Sequence, residues 1–218
     1  MKQRNSKGRR SAGFTVVEVM IAVVLSGLML GAITVIFDSN RKALRTGATA
    51  DNLEEQAYQT VHEIRKLLAA SGTDAITPMP VHPLHTSAIQ FQRGVDIDNA
   101  ELVWSDPERL VLEYSPSEKN NGVDDDGNGL VDECRILWIQ DEGGPNERTI
   151  VVSNWVSEYL EGENADKKDD NGNGMAAERG LTFTFDEDLI TVYLTLQRPD
   201  PNGLMLTKTV STTIALRN

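Results

Sequence analysis

From Phe14 to Phe37 the chain is apolar at nearly every position, and Glu18 is the sole charge in those 24 residues. A helix of that length crosses the hydrocarbon core of a bilayer. Polar residues enter at Asp38, yet helical patterning continues. Leu53, Ala57, Val61, Ile64 and Leu68 recur at steps of three and four and form one apolar stripe. Glu54, Glu55, Gln59, Glu63, Arg65 and Lys66 fill the other faces, and Ser71-Gly72 supplies a stop signal. The pattern predicts one helix from Phe14 to Ala70, roughly 85 Å long at about 1.5 Å per residue. Its first part suits lipid, its second part a folded body.

After residue 72 the period changes from helical to two. Ala88–Gln92, Leu110–Tyr114, Arg135–Ile139, Thr149–Val152 and Trp155–Leu160 read as short strands. Stronger alternation follows in Leu181, Phe183 and Phe185, then Ile190, Val192, Leu194 and Leu196, then Leu206, Val210, Ile214 and Leu216. Asp186-Glu187-Asp188 and Pro199-Asp200-Pro201-Asn202-Gly203 are turn sequences between neighbouring runs. Thr73–Leu84, with three prolines, reads as an irregular connection. The expected fold class is α+β: a long amino-terminal helix, apolar and then amphipathic, packed on an antiparallel sheet.

Charge narrows the possible partners. Residues 1–13 hold Lys2, Arg4, Lys7, Arg9 and Arg10 and no acid, so the rest carries 16 basic against 33 acidic residues, a net of −17. Such a body repels nucleic acid and anionic lipid, which argues against a nucleic-acid partner. Cys134 is the only cysteine, so no intrachain disulfide forms. It reads as a small buried residue, with pairing to another chain as the alternative. His82 and His85, in His-Pro-Leu-His, read as exposed loop histidines rather than a metal pair. No Ser/His/Asp or Cys/His set suggests catalysis, and no glycine loop suggests phosphate binding, so the chain does not read as an enzyme.

Two loops, at 120–133 and 164–178, are acidic. In Asp124-Asp125-Asp126-Gly127-Asn128-Gly129-Leu130-Val131-Asp132-Glu133, oxygen side chains at positions 1, 3 and 5 and glycine at 6 match the first half of an EF-hand calcium loop. Asp124, Asp126, Asn128 and the Leu130 carbonyl are the candidate ligands, with Asp132 or Glu133 closing a shortened loop. Position 12 is Arg135 and no helices flank the segment, so it is not a full EF-hand. A second copy begins 45 residues on, Asp169-Asp170-Asn171-Gly172-Asn173-Gly174-Met175-Ala176-Ala177-Glu178, identical at six of ten positions. There Asp169, Asn171, Asn173, Met175 and Glu178 are the candidates. Calcium is the expected cofactor, more strongly for the first loop. The competing reading is a pair of solvated Asn-Gly turns.

The amino terminus carries the most specific signal. Polarity switches abruptly at Gly13/Phe14, and a carboxylate at membrane depth is costly and usually marks a function. A secretory signal has a shorter apolar run and ends in a small-x-small site. The basic leader places residues 1–13 in the cytoplasm and the body outside. Gly13-Phe14-Thr15-Val16-Val17-Glu18-Val19-Met20-Ile21-Ala22 resembles the class III signal of type IV pilins and type II secretion pseudopilins.

That resemblance implies a prepilin peptidase that cuts after Gly13 and methylates Phe14. It also implies that Glu18 neutralises the amino terminus of a neighbouring subunit. Phe37–Thr46, with the glutamate-rich turn and Ala69-Ala70-Ser71-Gly72 after it, resembles PilW-like minor pilins. Val210–Asn218 is similar to the ending that PilW-like and GspJ-type proteins share. The implied fold is that of a type IV pilin. The implied divisions are a cleaved leader at 1–13, a transmembrane half-helix at 14–37, an amphipathic half at 38–72 and a sheet domain at 73–218. The implied partners are other minor pilins and the major pilin, or pseudopilins, and the implied place is the bacterial inner membrane with the body in the periplasm. A GspJ-type pseudopilin is the first alternative and a membrane-anchored calcium-binding adhesive domain the second.

Overall fold

The computed structural model describes residues 13–98 and 101–216. The leader residues before Gly13, and Arg217 and Asn218 at the end, lie outside the described residues. One helix, α1 (Val16–Leu68), is followed by nine strands. They are β1 (Ser71–Thr77), β2 (Ala88–Asp98), β3 (Glu101–Trp104), β4 (Glu108–Tyr114), β5 (Cys134–Gln140), β6 (Arg148–Val156), β7 (Leu181–Asp186), β8 (Leu189–Pro199) and β9 (Met205–Ala215). The chain divides into two compact units after Leu44.

In the first unit every described residue is exposed, the apolar side chains of 14–37 included. By length and composition this helix suffices to cross a membrane. In the second unit the helix has an inner face. Leu53, Ala57, Val61, Ile64 and Leu68 are all buried, as their spacing requires, and Leu67 joins them. The helix ends at Leu68, two residues before the predicted end. Ser71 Oγ donates to the Leu67 carbonyl at 3.4 Å, satisfying one of the acceptors that a helix end leaves open.

The sheet is antiparallel throughout its strand pairs and runs β1-β2-β4-β5-β6-β8-β7, with β3 beside β2 and β9 beside β8. Strand β8 is the hub. It pairs with β9 from Leu189↔Ala215 to Pro199↔Met205, and on its other edge with β7 and, at Val156↔Leu196, with β6. The sheet curls until β7 meets the segment before β2, through the bridges Val81↔Phe185 and Thr86↔Phe183. Phe91, Phe183, Phe185, Ile136, Leu110 and Leu194 lie inside with the helix stripe and form one core. The α+β expectation holds.

Three local expectations change. Thr73–Leu84 is not wholly irregular, because β1 occupies Ser71–Thr77 and pairs with β2 across a register shift. Strand β3 is additional. Thr149–Val152 and Trp155–Leu160 are not two strands: one strand runs to Val156, and Trp155 at φ 65° lies where its register against β5 shifts, between Ser153↔Ile136 and Val156↔Cys134.

Candidate functional site

The start of α1 is closed by its own side chains. Thr15 N–H and Thr15 Oγ1 donate to Glu18 Oε2 at 2.8 and 2.9 Å, and Glu18 N–H donates to Thr15 Oγ1 at 3.3 Å. Thr15 is the N-cap and Glu18 the third helical residue, so the pair forms a capping box that satisfies donors the helix would leave open. The signal, Thr15-Val16-Val17-Glu18 ahead of an apolar run, stands in the sequence. A reading that takes Glu18 for a membrane charge alone misses it. Phe14 and Gly13 precede the helix and are exposed. Phe14, Glu18, Ala22 and Ser26 follow one another at steps of four on one face, together with Val23, Gly27 and Leu30.

The two acidic loops join β4 to β5 and β6 to β7, and their central hydrogen bonds repeat. Asp124 Oδ1 accepts the N–H of Gly127 at 2.6 Å and its Oδ2 that of Gly129 at 2.8 Å. Asp169 does the same for Gly172 and Gly174, at 2.6 and 2.8 Å. Asn128 Nδ2 donates to Glu133 Oε1 at 2.8 Å, as Asn173 Nδ2 does to Glu178 Oε1 at 2.6 Å. Leu130 and Met175 are the buried anchors, each N–H donating to the preceding Asn128 or Asn173 Oδ1 at 2.8 Å.

The correspondence extends well beyond the ten residues visible in the sequence. Glu118 Oε1 accepts the Asp126 N–H and Glu163 Oε1 the Asn171 N–H. The Glu133 carbonyl takes the Ser115 N–H at 3.0 Å, and the Glu178 carbonyl takes the Leu160 N–H at 2.9 Å. At the base, Tyr114 pairs with Cys134 and Tyr159 with Arg179. All these pairs are offset by 45 residues, which makes 114–134 and 159–179 two copies of one loop. The copies meet where they end: Arg179 Nη2 donates to Cys134 Sγ at 3.5 Å, and its guanidinium lies over the Tyr114 and Tyr159 rings at 4.9 and 5.6 Å.

Carboxylate oxygens of Glu118, Asp126 and Glu133 lie within 4.8 Å of one another. The sequence nominates Asp126 and Glu133 but not Glu118, which lies outside the repeated decapeptide. Its counterpart Glu163 is missed for the same reason. The N–H groups of Gly129, Gly127 and Asn128, with Gly129 foremost, hold the Asp124 carboxyl below its ordinary range. Asp132, also buried, accepts the N–H groups of Asn121 and Gly122 at 2.9 and 2.8 Å. Burial pushes the Glu133 carboxyl up, with the charges of Glu118 and Asp126 adding to it and the Asn128 bond opposing. In the second copy Ala177 replaces Asp132, and its N–H donates to Glu163 Oε2 at 2.9 Å.

The histidines have a supporting role that spacing does not reveal. His82 Nε2 lies 3.4 Å from the Asn173 carbonyl oxygen and His85 Nε2 3.0 Å from that of Ala176, so both rings hold the backbone of the second loop. His82 is exposed as expected and His85 is half-buried. Cys134 is fully buried. Burial raises its thiol to about 11, against the lowering effect of Arg179.

Residues 8–34 match the family described as the prokaryotic N-terminal methylation motif. The chain therefore carries the class III prepilin signal of type IV pilins and pseudopilins, a family of structural subunits processed by a prepilin peptidase and assembled with other pilins. Beyond that signal, comparison with curated proteins and with solved structures gives no match.

Proposed function

We propose that this chain is a minor pilin subunit that primes or caps a type IV pilus, inserted in the bacterial inner membrane with its body in the periplasm before assembly. Its work is helix packing and charge pairing rather than catalysis, and its partners are the prepilin peptidase, other minor pilins and the major pilin. Calcium orders the two acidic loops of its body. One observation carries the reading: Glu18, the third residue of α1, is the lone charge in the exposed apolar segment Phe14–Phe37 and lies five residues past Gly13. Removing the leader there exposes an ammonium on Phe14. In hydrocarbon each of these charges needs a counter-charge. Ala22, Ser26 and Gly27 share the Glu18 face, and small side chains let neighbouring helices approach closely enough to make the pair.

The capping box offers a rival explanation of Glu18, and one substitution separates the two. Glutamine also serves at the third position of a capping box but carries no charge. Glu18→Gln should therefore keep the helix start, leader removal and membrane residence, yet lower incorporation into sheared filaments at least tenfold, as read by quantitative immunoblotting. Glu18→Gln entering filaments as well as the parent, while Glu18→Ala does not, would reduce the residue to a helix cap and remove the charge-pairing argument. Mass spectrometry of the filament-borne chain should find N-methyl-Phe14 as its first residue.

A further inference from the structure

We propose that the duplicated loops are twin divalent-cation sites of calcium type, built by Glu118, Asp126 and Glu133 in the first copy and by Glu163, Asn171 and Glu178 in the second. This deepens the calcium part of the reading above and is independent of filament assembly.

Clustered acid alone would not carry it. The decisive feature is a pair of buried carboxylate oxygens with nothing to hold. Glu133 is 6% exposed and Glu178 fully buried, yet Oε2 of each has no hydrogen-bond partner among the described residues. The other oxygen of each is tied to the loop itself, through Asn128 and Asn173. No salt bridge among the described residues reaches Glu118, Glu133, Glu163 or Glu178. A carboxylate taken out of water and left without a counter-charge is strongly unfavourable, so buried charges are normally paired or bound to a metal. The same orphaned atom recurs at the same place in both copies. Chance does not favour that, whereas a ligand position shared by duplicated sites requires it.

The donors define the ion. Each set is made of oxygens, from carboxylates and, in the second copy, a side-chain amide. No sulfur or imidazole nitrogen is among them, which selects a hard cation over zinc or copper. Glu118 and Glu163 accept the backbone N–H groups of Asp126 and Asn171, which holds each glutamate against the third oxygen donor of its set, a carboxylate in one copy and an amide in the other. Asp124 and Asp169 form the tight turns that present these residues. The first copy has three carboxylates where the second has two and an amide, and higher ligand charge gives tighter binding.

The first site also has a built-in reporter. Trp155 lines the same surface pocket as Asp126, Asn128 and Glu133. Its indole can transfer excitation to terbium, which takes calcium's oxygen ligands.

The test uses the full chain in detergent micelles, stripped with chelator and dialysed against radioactive calcium at about 1 mM, the concentration at which weak extracellular sites fill. Two ions per chain are expected. Glu133→Gln should retain one ion and lose tryptophan-sensitised terbium emission. Glu178→Gln should retain one ion and keep the emission, and the double variant should retain none. Trp155→Phe should lose the emission and keep both ions. Without metal each Glu→Gln variant should melt at or above the parent's temperature, because an unpaired buried charge has been removed. A parent chain that retains no calcium, variants that still hold two ions, or Glu→Gln variants that melt below the parent in chelator would each overturn the proposal. Failure here leaves the Glu18 experiment untouched, and the reverse is equally true.

Discussion

Asp200 ties the turn between β8 and β9 to the helix. It is buried, accepts the N–H groups of Asn202 and Leu204 at 2.8 Å, and takes a hydrogen bond from Thr46 Oγ1. Thr46 foremost, with the Leu204 and Asn202 donors, pulls its carboxyl down to about 2. An unfolded aspartate titrates near about 3.9. Between those values the unfolded chain binds the extra proton, so stability rises with pH across that window and is lost as pH falls through it. Thermal melts from pH 5 down to pH 2 should show a steeper loss in the parent chain than in Asp200→Asn. Cys134 makes a second prediction at this scale. A buried thiol raised to about 11 is starved of thiolate at pH 8, so a maleimide should label it at least about 100-fold more slowly in the folded chain than in denaturant. The alternative of pairing with another chain would require it to be reachable, and it is fully buried.

Elements were legible where polar and apolar residues alternate at the period of the element and obscure where they do not. The helix stripe and strands β8 and β9 follow the face that the core takes, and β7 alternates threonine with Leu181, Phe183 and Phe185 although Thr182 and Thr184 are buried too. Ile64 lies fully inside that core, so Ile64→Ala should cost about 2–5 kcal/mol in chemical denaturation. Strand β3 gives no alternation because Glu101, Leu102, Val103 and Trp104 are all exposed. Strand β1 opens on Ser71-Gly72, which reads as a stop, and only Ile76 among its apolar side chains is fully buried. Close backbone packing is equally invisible in a sequence. Gly180 donates to the Glu158 carbonyl and accepts from Thr195, and a Cβ there would collide with the Ser157 carbonyl oxygen. Gly180→Ala should cost about 1–3 kcal/mol by the same measurement, because backbone rather than a flexible side chain must move.

For the molecule as a whole, the sequence made the prepilin signal and the two turns of each loop readable, since both depend on residues adjacent in the chain. It hid Glu118, Glu163, the histidine props and the meeting of Arg179 with Cys134, because folding alone brings those groups together. The imbalance of −17 beyond the leader has a global consequence. Self-repulsion within an acidic body weakens the folded state and is screened by salt. In chelator, raising sodium chloride from low to about 0.5 M, where the Debye length is well under 10 Å, should raise the melting temperature by about 2–4 °C. Two calcium ions would offset only part of that imbalance, so calcium should lessen the salt dependence without abolishing it.

Thr15 marks the point where the backbone enters the helix, since its carbonyl accepts the Val19 N–H at 3.2 Å while Gly13 and Phe14 stay outside it. Proteolytic enzymes grip their substrates as extended strands, and a helical peptide bond must unwind before it can be cut. By starting the helix beyond Phe14, the Thr15–Glu18 lock leaves the Gly13–Phe14 bond, where the proposed leader removal would cut, outside the helix. On the proposed reading, the side chains that would pair subunits also keep the proposed cleavage site outside the helix.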